Sequence, residues 1–85
     1  MELPITIRPL LYILKLEDEF WYVGISYGLN AQLAKHWASA GDKWTQLHKP
    51  ISLERVVYPY SIELENTIVL DLVEQYGKDK VCGGF

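Results

Sequence analysis

Two β-prone runs, Leu11 to Leu16 and Phe20 to Ile25, stand on either side of the acidic tripeptide Glu17-Asp18-Glu19. Runs this close in sequence pair as an antiparallel hairpin, because a parallel return needs a long crossover between its strands. In the first run Tyr12, Leu14 and Leu16 alternate with Leu11, Ile13 and Lys15, so both faces of the hairpin are largely apolar. Two apolar faces call for cover on both sides, and a helix layer on each supplies it. Gly24 and Gly28 bracket the passage from the second strand into a helix. The expectation is a tight corner, with a residue lacking a Cβ where the strand comes closest to the first helical turns.

The remaining elements follow from periodicity and punctuation. A helix from about Gly28 to Ala40 puts Leu29, Leu33, Trp37 and Ala40 on one stripe and ends at Gly41. Asp42 to Pro50 reads as either a short helical turn or a loop, anchored by Trp44 and Leu47 while Lys43 and Lys49 stay wet. Leu53 to Tyr58 reads as a third strand stopped by Pro59, with Val56 and Val57 its most β-prone residues. Ser61 is the N-cap expected for a last helix that reaches about Tyr76, with Gly77 just beyond it. Met1 to Pro9 reads as an irregular lead-in or a short edge strand, and Lys78 to Phe85 as a tail whose Val81 and Phe85 pack back on the sheet. The class expected is α/β (α+β): a small, three-stranded, mainly antiparallel sheet flanked by helices.

The 85 residues make one domain, 1–85, with a modest core, for which a protein partner or a homodimer would supply further burial. Apolar residues at 49% argue against disorder. Cys82 is the sole cysteine, so no internal disulfide or cysteine-based metal site can form, and the cytoplasm or another reducing intracellular compartment is expected. Arg8 and Pro9 interrupt the apolar part of the N-terminus, which has no basic leader, so neither export nor a membrane partner is expected. The formal charge of −3 is the wrong sign for holding nucleic acid by net charge alone. Its distribution leaves two readings open: Lys35, Lys43, Lys49 and Arg55, against only Asp42 and Glu54, form a local basic patch beside the tyrosine-bearing hairpin, or they are an ordinary solvated surface.

Four kinds of residue can carry chemistry. Glu65 falls inside the apolar arc made by Ile62, Ile68, Val69, Leu72, Val73 and Tyr76, so it is either an inward carboxylate that must be paired, hydrogen-bonded or metal-bound, or a partly wet residue near the helix start bonded to a tyrosine or a backbone amide. Tyr12 and Tyr22 can bring two phenols to one edge of the hairpin, although in a chain with six tyrosines either is as well explained by packing. Gln32 and His36 lie one turn apart at the flank of the helical stripe and can face the same corner. His36 can donate to a phosphate or shuttle a proton, or it can be a helix-surface residue with a structural bond.

Leu10-Leu11-Tyr12 and Tyr22-Val23-Gly24 stand where GIY-YIG nuclease domains carry their two tripeptides, and over roughly Leu10 to Gly84 the chain resembles that family. The Lys-Trp-Thr and His-Lys-Pro segments and the closing Gly83-Gly84 are similar as well. The resemblance implies a metal-dependent DNA endonuclease domain that hydrolyses phosphodiesters, with Tyr12 or Tyr22 helping to deprotonate water and Glu65 holding Mg²⁺ (or Mn²⁺). His36 matches the family histidine, whereas the arginine position is Gln32, which has neither the charge nor the fork of donors that stabilises a phosphoryl transition state. Lys35, Lys43 and Lys49 would give weak, salt-dependent contact with DNA. The alternative implied is a catalytically inactive descendant that binds nucleic acid or another protein. In the active reading Glu65, Tyr12 and Tyr22 converge on one pocket.

Overall fold

A computed structural model describes residues 8–38 and 43–83. Strands β1 (Leu10–Leu16) and β2 (Trp21–Ser26) form the expected hairpin, closed by a single 3-10 turn at Glu17–Glu19. Leu16 N–H donates to Phe20 O at 2.8 Å across that turn. Asp18 and Glu19 both take a φ of 62°, the left-handed region that costs an L residue about 1–2 kcal/mol. Helices α1 (Leu29–Trp37) and α2 (Lys43–Leu47) follow, then β3 (Pro50–Val57), α3 (Ile62–Tyr76), a second 3-10 turn and β4 (Val81–Gly83).

The sheet has four strands, in the order β3-β1-β2-β4. This corrects the three-stranded expectation, since the tail segment Val81–Gly83 pairs with Trp21–Val23. That pairing is parallel, while β1 pairs antiparallel with both β2 and β3. β3 and β4 therefore run the same way at opposite edges, and α3 between them in sequence must cross the sheet to join them. The crossing helix covers the face formed by Leu11, Ile13, Trp21 and Val23, where Ile68 and Leu72 complete a buried cluster. On the other face Tyr12, Leu14, Leu16, Tyr22 and Cys82 are buried under Leu29 and Leu33 of α1. Both faces of the hairpin are thus covered, as the alternation of apolar residues requires.

The boundaries of α3 agree with its capping chemistry. Ser61 Oγ accepts from Leu64 N–H at 3.1 Å, and Gly77, at φ 99°, follows the last turn. Glu63 and Glu65 sit in the first turn, where the helix dipole favours negative charge. Ile62 is exposed despite its place in the apolar arc, because the helix meets the buried cluster only from Ile68 onward. Residues 39–42, which include the expected helix stop Gly41, and residues 1–7, 84 and 85 lie outside the described residues. Among the described residues no helix is long and apolar enough to cross a membrane.

Candidate functional site

The residue directly opposite Tyr12 in the hairpin is Gly24, and Leu14 is opposite Tyr22. Tyr12 and Tyr22 are diagonal neighbours on one face, with ring centroids 6.1 Å apart. The Tyr12 ring lies over its cross-strand neighbour, so a Cβ on Gly24 would come within 2.3 Å of Tyr12 Cζ. Nothing surrounds the equivalent point on Gly28. The tight contact expected between strand and helix is therefore a ring on a strand, because a phenol needs the bare backbone of Gly24 to reach across β2 toward α1.

It reaches His36. Tyr12 Oη and His36 Nε2 are 2.8 Å apart, and His36 Nδ1 lies 2.9 Å from Thr45 Oγ1 on α2. Either neutral tautomer fits: Tyr12 O–H donates to Nε2 while Nδ1–H donates to Thr45 Oγ1, or both bonds reverse together. The Tyr22 ring completes the group edge-on to His36 at 5.0 Å between centroids. His36 and Thr45 are both 0% exposed and Tyr12 is 1% exposed. The expected inward stripe of α1 is corrected at its end, since His36 points in and Trp37, 47% exposed, points out. The anchors of α2 differ in part: Thr45 is buried and Leu47 is exposed, whereas Trp44, 38% exposed, stacks on Phe20 at 6.4 Å between ring centroids. In both cases a polar side chain with a buried partner outcompetes a larger apolar neighbour, because a hydroxyl or imidazole buried without a bond costs more than an exposed indole.

Glu65 is buried, as its place in the arc implies, but on the other side of the sheet. It shares the inward side of α3 with Ile68 and Leu72, against Leu11 and Ile13, while Tyr12 and Tyr22 point to the α1 side. Adjacent strand residues face opposite ways, so the expected convergence of Glu65 with the two phenols on one pocket does not occur. Tyr60 O–H donates to Glu65 Oε1 at 2.7 Å, and the other oxygen, Oε2, is buried with no hydrogen-bond partner among the described residues. The hydrogen bond to the Glu65 carboxylate, reinforced by desolvation and by the charges of Glu65 and Glu63, raises the Tyr60 pKa above its ordinary value. Asn66, Val69 and Leu70 line a pocket of about 270 Å³ with Glu65.

Glu65 is the residue at which the resemblance implies Mg²⁺. The ion binds through accessible carboxylate oxygens while keeping several waters, and the free oxygen here is buried. Among the described residues no three His, Cys, Asp or Glu side chains gather as a ligand group.

Gln32 is half-buried on α1, its backbone N–H bonded to Gly28 O at 3.2 Å. The three candidate lysines are exposed, on separate elements: Lys35 in the last turn of α1, Lys43 at the start of α2, and Lys49 just before β3. Lys49 exchanges hydrogen bonds with Glu17 through its backbone, which sets it beside the acidic turn. Near the same end Phe20 stacks on His48 at 3.8 Å, and Lys80 Nζ lies 4.5 Å from the Phe20 centroid.

Sequence reasoning missed Thr45 and Tyr60. Thr45 carried no periodic signal of its own, although a threonine inside a short amphipathic turn downstream of an inward histidine could have suggested it. Tyr60 stands one residue before the Ser61 cap and five before Glu65, a spacing that no helical or strand period marks. No protein-family model, no curated protein and no solved structure matches the chain.

Proposed function

We propose that this chain is a GIY-YIG-like domain that no longer cleaves phosphodiesters and works as a protein-interaction module. One observation carries the reading: Tyr12 and His36, the groups that would activate water or touch phosphate, are buried and hydrogen-bonded to one another. A general base has to come within hydrogen-bond reach of the proton that it abstracts, and a buried phenol committed to an imidazole does not. The substitution of glutamine for arginine at position 32 points the same way. Exposed Ile51, Leu53, Val56 and Tyr58 on and beside β3 favour a protein partner over nucleic acid, and so does the acidic turn next to Lys49.

A second reading, the Mg²⁺-dependent (or Mn²⁺-dependent) DNA endonuclease, rests on the orphaned Oε2 of Glu65, a buried anionic oxygen without a donor among the described residues that a cation entering with few of its waters would satisfy. Plasmid relaxation by native, Gln32→Arg and Gln32→Arg/Glu65→Ala proteins, with and without Mg²⁺, separates the two. The interaction-module reading expects every form to leave supercoiled plasmid intact. Nicking by the native or the Gln32→Arg protein that requires Mg²⁺ and is absent from Gln32→Arg/Glu65→Ala would overturn it in favour of the second.

A further inference from the structure

β3 is an edge strand eight residues long, and among the described residues its outer side pairs with nothing. Long edges with apolar side chains are open to pairing with another chain unless something blocks them. Ile51, Leu53 and Val56 are 55%, 37% and 43% exposed along it. At its centre stand adjacent opposite charges, Glu54 and Arg55, and neither forms an ion pair among the described residues. The register with β1 slips between Ile13 and Leu14, so that Arg55 pairs with Ile13, Leu53 pairs with Leu14, and Glu54 is the bulged residue. The bulge sets Glu54 beside Arg55 on one face, where both line a cavity of about 220 Å³ that Ile68 and Leu72 floor from α3.

From this edge we infer that the domain's partner is a second copy of itself, docked by antiparallel pairing of β3 with β3 about a two-fold axis between Glu54 and Arg55. That axis sets Glu54 opposite the partner's Arg55 and Arg55 opposite the partner's Glu54. Leu53 then meets the partner's Val56, and Val56 the partner's Leu53. Shifting the axis by one residue toward Leu53 sets Glu54 opposite leucine and Arg55 opposite serine, and shifting it the other way sets Arg55 and Glu54 opposite valines, so either shift breaks both charge pairs. An isologous interface must be self-complementary, and this segment is. A bulge on an edge ordinarily discourages pairing. Here it brings both charge pairs to the same face and so favours the one register in which the two bulges meet.

The inference deepens the interaction-module reading by naming the partner, and its test separates the two. Sedimentation equilibrium is measured on the full chain as native protein, Glu54→Arg, Arg55→Glu, their equimolar mixture and the double swap Glu54→Arg/Arg55→Glu. The native protein is expected to be a dimer, and each single variant, with like charges facing across the axis, to dissociate at least tenfold more readily. The mixture is expected to restore a one-to-one heterodimer, and the double swap a homodimer. Both residues are exposed, and recovery in the mixture would show that each variant is folded. A monomeric native protein, single variants as dimeric as the native, or a mixture that stays monomeric would each overturn self-pairing. Plasmid cleavage would overturn the module reading whatever the oligomeric state.

Discussion

The two faces of the sheet are built on different principles. On the α1 side, side chains from β1, α1 and α2 meet through directional bonds, Tyr12 to His36 to Thr45, over a glycine that leaves room for one ring. On the α3 side, hydrocarbon does most of the packing, and the buried carboxylate of Glu65 has a hydroxyl donor from Tyr60 and a second oxygen unmatched among the described residues. Directional networks fix geometry and tolerate little change, whereas apolar packing accommodates small shifts. The α1 side, where the resemblance to a nuclease is concentrated, is thus the more rigidly specified and the less reachable of the two. The α3 side keeps unsatisfied chemistry.

That contrast can be broken most directly at His36. His36→Ala opens a cavity and removes a partner from two buried hydroxyls at once, for an expected loss of about 4 kcal/mol in urea unfolding. Leu72→Ala on the opposite face, beside an existing cavity, should cost about 2 kcal/mol, and a larger loss there than at His36 would reverse the comparison. Between those two in size is Gly24→Val, in which the new side chain meets a ring that cannot swing aside without giving up His36. About 3 kcal/mol of destabilisation is expected, and an unchanged melting curve would mean that the tyrosine is not held there.

The smallest effect sharpens the other face. The Tyr60 phenol is held above its ordinary pKa, so its hydroxyl form is favoured in the fold. Its stabilising contribution is present in full below the unfolded value near 10 and is lost as pH rises through the folded value, where phenolate would confront the Glu65 carboxylate. In absorbance titration, Glu65→Gln should lower the pH at which Tyr60 ionises. A titration unaffected by that substitution would detach Tyr60 from Glu65.

The hairpin was legible because it is local: alternation and a three-residue acidic turn define it within one window of sequence. β4 was not, since three residues carry too little pattern and their partner lies far back in the chain. At the end of α1, hydropathy nominated Trp37 over His36, because a scale that counts histidine as polar cannot know that a phenol and a threonine wait for it. The inward position of Glu65 was readable from the wheel. Which side of the sheet it faced was not, for a hairpin apolar on both faces gives a helix no preference between them.

The tyrosine stacked over Gly24 has a consequence for how this sequence can change. No side chain can be added at position 24 while a tyrosine occupies position 12, and trimming Tyr12 first leaves a gap beneath α1 and an imidazole short of a bond. Each single step goes downhill in stability even where the two-step product packs well, so the pair behaves as one heritable unit. A domain in that position can lose its chemistry at Gln32 or elsewhere and still keep the tyrosine and the glycine for reasons of packing alone. The tripeptide pattern would then outlast the activity that it is used to recognise.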